Sequence, residues 1–382
     1  MSGSLAILVA KGKQDIYLTD NPSSTYFRPS YNKYTNFSHD IQRVHIDGDP
    51  KPGGVSTAIL RSGADLMGYM YLTKRVNGVL QPDIDSGDIE KIEFFIGDQR
   101  IDRITTDQLV SQRNFSSKYS RSKFGSEKNG KLGFYGKYHY PLGFDFCNYF
   151  THALPLVCLQ YHTPRIRITW GQTDPGDNTT YELWGQHILL DTSERERFTK
   201  PGARHRYLIE QNQEIEDTNS MHVDLVFNHP VSVIYGKSGS VDIFGDSPRN
   251  VTDKVVLQIN GTDVGEPREV VPHYTTIPSL RHANFAEWNE VDPISNVIVS
   301  TQATWPYTTI DIQRERGTNV NFMFPFCLTM GMQGGQPTGS CNFSRIDIAR
   351  LVSTKKITSP IYAKNYNILE FANGMGGILF GD

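Results

Sequence analysis

The sequence predicts an all-β protein made of two consecutive eight-stranded antiparallel sandwiches with short inserted helices. Three observations predict this. Apolar residues alternate with period 2 in one run after another, Gly and Pro clusters punctuate the runs, and helical signals are few. Many short strands separated by turn chemistry point to sandwiches or barrels rather than to βαβ units.

The strands follow from the alternation, because successive side chains on a strand point to opposite faces. Ile92, Phe94 and Ile96 align in EKIEFFIG. In PRIRITWG, Ile166, Ile168 and Trp170 lie opposite Arg165, Arg167 and Thr169. Val223, Leu225 and Phe227 form a stripe, as do Val255, Leu257 and Ile259, and then Val320, Phe322, Phe324 and Phe326. The turns read as GDPKPGG, DPGDNTT, NGTDVGEP and QGGQPTG. Two segments carry capping-box spacing: Thr105 with Gln108, and Ser193 with Glu196. In each, the two side chains can satisfy orphan backbone N–H groups at a helix start.

These signals divide the chain into an arm over 1–24, a first sandwich over 25–205, a polar connector over 206–218 and a second sandwich over 219–382. Each sandwich has the usual size of an eight-stranded jelly roll.

The 382 residues are enough to bury a core without disulfides or metals. A net charge of −3 argues against duplex nucleic acid as a direct partner, which favours a basic face. The four cysteines show no CxxC pair and read as reduced thiols of an intracellular protein. The apolar run Leu5–Ala10 is too short for a membrane span and has no basic region before it, but it suits contact with a lipid surface.

Candidate sites resolve mostly into structural readings. Cys341, in QPTGSCNFSRIDIARL, would need a base and a depressed pKa to act as a nucleophile. The flanking pattern reads instead as a strand leaving a turn set by Pro337 and Gly339. Asn342 and Ser344 can bond local backbone, and Ile346 and Ile348 point to the core. The run Gly374-Met-Gly376-Gly377 lacks the Lys and Ser/Thr of a phosphate loop and reads as a bulge or tight turn between the last strands. Single histidines such as His139, His162 and His229 form no metal-ligand pattern. Asp83 with Asp85, and Glu214 with Glu216 and Asp217, read as solvated charge in loops rather than a catalytic pair. The basic and aromatic stretch Ser116–Tyr140 suits contact with neighbouring subunits better than nucleic-acid stacking. Of six NxS/T sequons, Asn178 has the most loop-like setting for glycosylation, whereas Asn260-Gly261 reads as a hairpin turn.

Several stretches together resemble the major capsid proteins of nucleocytoplasmic large DNA viruses. They are GKQDIYLTDNPSSTYFRPSYNKYTNFS (12–38), ALPLVCLQYHTPRIRI (153–168), LWGQHILLDTSERERF with YLIEQNQ, FNHPV, VLQINGTD, QPTGSCNFSRID and YAKNYNILEFANGMGG. They occur in the family's order and span nearly the whole chain. The resemblance implies a double jelly roll with no enzymatic activity and no cofactor. It implies a homotrimer that forms a pseudo-hexagonal capsomer of an icosahedral virion, assembled in the host cytoplasm. The partners it implies are neighbouring capsomers, minor capsid and penton proteins, and an internal viral membrane reached through the N-terminal arm. Sequence-specific nucleic acid is not among them. A paralogous double jelly-roll capsid protein and a carbohydrate-binding jelly-roll module are the alternatives.

Overall fold

The computed structural model describes the chain except for residues 1, 30, 61–62, 82–83, 85–86, 114–125, 129–130, 135–138, 217, 241–253, 275, 283–299, 305–306, 312–318, 332–335 and 382. Residues Met1–Asn36 form one compact unit and Phe37–Asp382 another. The first unit holds two short helices, α1 (Ser2–Val9) and α2 (Ile16–Thr19).

The second unit is a double jelly roll. Its first sandwich comprises β1 (Phe37–Val44), β2 (Val55–Ile59), β3 (Leu66–Val76), β4 (Ile89–Ile96), β5 (Gln99–Thr105), β6 (Leu154–Pro155), β7 (Pro164–Trp170) and β8 (Thr179–Leu190). The second comprises β9 (Arg204–Ile215), β10 (Ser220–Asp224), β11 (Pro230–Ser240), β12 (Lys254–Ile259), β13 (Thr262–Asp263), β14 (Asn319–Pro325), β15 (Ala349–Ile357) and β16 (Ile361–Ala372). The sheets of the first run β1-β8-β3-β6 and β2-β7-β4-β5. Those of the second run β9-β16-β11-β14 and β10-β15-β12-β13. Along these paths, adding eight to each number converts one sandwich into the other, while short strands at Val79–Gln81 and Tyr140–Pro141 in the first and Arg268–Glu269, Cys341–Asn342 and Met375–Ile378 in the second pair beside them. Among the described residues, further α-helices are α3 (Thr106–Arg113) after β5, α4 (Thr192–Thr199) after β8, and α5 (Val270–His273) with α6 (Thr276–His282) after β13.

The alternating stripes become the cores. Ile92, Phe94, Ile96, Ile166, Ile168 and Trp170 are buried in the first, with Met70 and Leu72 from the facing sheet. Val223, Leu225, Phe227, Val255, Leu257, Phe322 and Phe324 are buried in the second. Burying each such side chain contributes about 1.5–3 kcal/mol. Ile259 and Phe326 are only partly buried and pack against the second core. Polar residues on the other face of β7 are used: Arg167 reaches the buried Glu93 at 2.6 Å and stacks over Phe95.

Asn-Gly pairs make tight hairpins at Asn77-Gly78, Asn260-Gly261 and Asn373-Gly374, each with both residues at positive φ. That is the geometry of a two-residue turn matched to strand twist.

Three expectations need correction. The run after Cys341 is not one strand. Cys341–Asn342 pairs briefly with β11, and Phe343–Arg345 then forms a 3₁₀ turn, because the Asn342 side chain accepts from Ser344 N. The turn breaks the alternation. Phe343 is buried and Ile346 packs partly against the core, but Ile348 is 57% exposed. The cap of α4 is Asp191, whose side chain accepts from Thr192 N, and Ser193 lies within the helix. Glu214 is not a loop residue. It sits in β9 with its carboxylate 2.9 Å from Arg103. Asp83, Asp85, Asp217 and most of 116–140 lie outside the described residues.

Gly339 adopts φ +139, and a Cβ there would lie 2.7 Å from Phe326 O. Gly339→Ala is therefore expected to destabilise by about 1–3 kcal/mol, read as a lower urea midpoint. An unchanged midpoint would show that the turn can move.

Candidate functional site

The two sandwiches meet through a polar seam flanked by apolar packing, and β9 is its centre. Residues 204–215 include much of the stretch read as a connector. They form a full strand paired along its length with β16. The side chains of Gln211, Asn212 and Glu214 reach the first sandwich, so no apolar alternation marks them.

Asp102 on β5 accepts from Asn212 N and Asn212 Nδ2, both at 2.9 Å. Gln211 Nε2 donates to Ile101 O. Thr105 caps α3 by accepting from Gln108 N at 3.2 Å. The other half of the expected box does not form. The Gln108 side chain instead donates to Asn212 Oδ1 and Tyr235 OH, each at 3.3 Å. Arg103 bridges Glu214 and Glu216. Glu210 N donates to Asp145 Oδ1, while Asp145 Oδ2 lies 2.8 Å from His152 Nδ1. Lys364 and Glu210 form an ion pair at 3.4 Å with side chains 8% and 4% exposed. Ile209, Leu369 and Phe371 of the second sandwich join the core of the first.

Burial pushes Asp102 up to about 7, against hydrogen bonds from Asn212 and Arg103 and the charge of Lys364. The hydrogen bond to Asp145 raises His152, with burial opposing it. Burial raises Glu214 against the pull of Arg103. Such shifts mark a dry seam in which charge must be compensated.

The glycines of the final run lie at this seam. A Cβ on Gly374 would come 2.8 Å from Tyr161, one on Gly376 2.8 Å from Leu159, and one on Gly377 2.9 Å from the Gln99 side chain. The hairpin joining β16 to Met375–Ile378 thus sits directly on the first sandwich. Tyr161 N donates to Gly374 O, and His162 Nδ1 lies 2.9 Å from Gly376 O.

The other candidate residues are dispersed. Cys341 is half-buried, its thiol raised by burial, and burial pushes Cys158 and Cys327 up to about 11. That is the opposite of nucleophile activation. His139 packs on Tyr69 and Tyr71. His229, at positive φ, accepts through its carbonyl from Phe343 N. Among the described residues, no group of His, Cys, Asp and Glu is arranged to hold a metal. Pro337 stands near the turn that Gly339 closes. Asn178 is exposed in the turn before β8.

The sequence reading missed the β1 edge. Among the described residues β1 pairs through its β8 side, and seven of its eight residues are exposed, including Phe37 and Ile41. Its counterpart β9 is covered by β5 and α3. A strand carrying Phe37, His39 and Ile41 on one side was already a signal, had the second face been asked about.

Comparison with known proteins agrees with the fold. The family profile described as "Major capsid protein N-terminus" matches residues 25–191. The major capsid protein of Pyramimonas orientalis virus is 31% identical, with all of both chains covered. That of Paramecium bursaria Chlorella virus 1 is 29% identical, again with both chains fully covered. The solved PBCV-1 virus capsid protein superposes with a TM-score of 0.69 at 21% identity, over 94% of this chain and 100% of that one. The Faustovirus major capsid protein superposes with a TM-score of 0.56 at 12% identity, over 97% and 96%. With one topology written twice along it and full-length likeness to these sequences, the chain belongs to the major capsid proteins of nucleocytoplasmic large DNA viruses, with a structural role in the capsid.

Proposed function

We propose that three copies of this chain close into a pseudo-hexagonal capsomer that tiles an icosahedral shell. The contrast between β1 and β9 carries this reading. They are the same strand of two like sandwiches, yet β9 packs against β5 and α3 whereas seven of the eight β1 residues are exposed. The surface of the second sandwich that corresponds to β5 and α3 is β13 with α5 and α6. It exposes Val264 and Ile277. Docking that surface on β1 of the next copy repeats, between chains, the seam found within one. Such a head-to-tail contact closes into a ring when its rotation divides the circle, and a turn of about 60° per sandwich closes after three copies. Closure would also remove an exposed edge strand, which otherwise invites indiscriminate pairing.

The role is mechanical. It needs no catalytic residue, cofactor or sequence-specific nucleic acid. Large contacts hold each trimer, and weaker contacts with neighbouring capsomers and with minor capsid and penton proteins add through multivalency. The assembled product is a virion shell, built in the host cytoplasm.

Light scattering after size exclusion tests the reading. The purified chain is expected at three times 43.2 kDa, and Phe37→Asp combined with Ile41→Asp at one times that mass with its β circular dichroism retained. A monomeric parent would sink the trimer. A variant that stays trimeric would sink the assignment of β1.

A further inference from the structure

We infer that Lys364 and Asn212 join in an intramolecular amide bond, which ties β16 to β9 within the second sandwich and releases ammonia. The bond lies inside one chain and would form whether that chain is monomeric or trimeric, so it is tested apart from the trimer.

Lys364 is a lysine almost without solvent. It is 6% exposed on β16, with Glu210 at 5% and Asp102 at 6% around it. A buried ion pair by itself needs no further role. What sets this pair apart is the neighbouring Asn212 side chain, whose amide is engaged at both ends. Gln108 Nε2 donates to its Oδ1 at 3.3 Å, and its Nδ2 donates to Asp102 Oδ2 at 2.9 Å. The first contact polarises the carbonyl. The second stands where a leaving nitrogen must collect a proton.

Strand register brings the nucleophile to this amide. Asn212 lies directly opposite Lys364. Its backbone N–H turns away from β16 and donates to Asp102 Oδ1. The two residues are therefore a non-hydrogen-bonded pair, the arrangement in which facing side chains stand closest. Glu210, two residues along the same face, accepts from Lys364 Nζ through Oε2 at 3.4 Å. Asp102 feels the Lys364 charge while it bonds Asn212. The amine, the amide and both carboxyl groups thus share one dry enclosure. Groups held together in this way react at effective concentrations far above those in solution.

The step balances without a co-reactant, and the ion pair is the state before reaction. Glu210 takes one proton from the ammonium; its Oε1 has no hydrogen-bond partner among the described residues. The Nζ lone pair attacks Asn212 Cγ, and Gln108 steadies the charge that gathers on Oδ1. Asp102, pushed up to about 7 by burial, gives its proton to Nδ2 and takes one from Nζ. The Cγ–Nδ2 bond breaks, ammonia departs and an Nζ–Cγ amide remains. Of the two protons that Nζ loses, one ends on Glu210 and one, by way of Asp102, in the ammonia. The bond joins the first and last strands of the sandwich, so β9 can no longer peel away from β16.

Peptide mapping of the full chain tests this. The folded protein is stored at neutral pH and sampled over several weeks. Trypsin cuts the unlinked chain after Lys364 and releases 207–237 as a linear peptide. The linked chain is expected to resist cleavage at Lys364. It should yield a branched peptide joining 207–237 to 357–382, lighter than their sum by about 17 Da, the mass of ammonia. Ring closure at an Asn-Gly pair loses the same mass but leaves the peptides linear, so the branch decides. Lys364→Arg is expected to give no branch, and Asp102→Asn to slow branching about a hundredfold, with β circular dichroism reporting that each variant is folded. A parent that yields only linear peptides throughout would overturn the inference. A branch at other residues would do so too, as would one that forms equally fast in Asp102→Asn.

Discussion

Lys364→Met is expected to lower stability by about 3–5 kcal/mol, although methionine nearly matches lysine in volume. The loss comes from what remains behind. Lys364 and Glu210 face each other at 3.4 Å with almost no solvent contact. Glu210 Oε1 already lacks a hydrogen-bond partner among the described residues. Without the ammonium, Glu210 stays buried beside Asp145 and near Asp102, both acidic. Removing one partner of a buried pair costs far more than the pair contributes, because the survivor has lost its water as well. Neutralising the survivor should therefore rescue the variant. Lys364→Met with Glu210→Gln is expected to recover more than half of the loss in the urea midpoint. Additive losses in this cycle would show that the two side chains act independently.

The pH dependence of the seam is the second large effect. Asp102 rises to about 7 in the fold through burial, against about 3.9 in an unfolded chain. Its folded form therefore holds the proton more tightly. The associated stability is complete below about pH 4 and is lost as pH rises toward 7, at about 1.4 kcal/mol per unit, after which nothing more is lost. His152 is raised as well, chiefly by Asp145, so its contribution is complete below about 6.5 and declines above it. Glu214, raised by burial, acts in the same direction. Arg103, Lys364, Glu210, Asp145, Glu216 and Asp107 are charged groups beside them. The junction is therefore tightest on the acid side of neutrality.

Asp102→Asn isolates the first contribution, since the other groups cancel between variant and parent. The stability difference should move in favour of the variant by about 2 kcal/mol between pH 5 and pH 7 and level off by about pH 8. Urea midpoints at each pH read it directly. Parallel curves for the two proteins would remove Asp102 as the titrating group. A constant offset between them is expected, since Asn212 must turn its amide to accept the new one.

Local pattern made much of the fold legible. Ile166, Ile168 and Trp170 announce β7 because one face of that strand meets a core and the other does not. Asn260-Gly261 announces a hairpin because both residues tolerate positive φ. Thr105 announces the start of α3. Where the pattern misled, a neighbouring side chain had taken up a backbone N–H. Ser193 yields its cap to Asp191, and Ile348 turns outward because the Asn342 side chain bends the chain just before it.

The sequence by itself determined that this protein is built from antiparallel strands in two sandwiches, since period-2 burial and turn chemistry are written residue by residue. It also carried the ordered stretches by which the chain resembles its capsid relatives. Only the tertiary structure decided that 204–215 is the central strand of a seam, that Gln108 joins the sandwiches instead of closing its own cap, and that Gly374, Gly376 and Gly377 mark a close approach. The physical reason is that a strand buried against polar partners loses the alternation that betrays a strand buried against oil. Its partners lie about a hundred residues away, and no local window contains them.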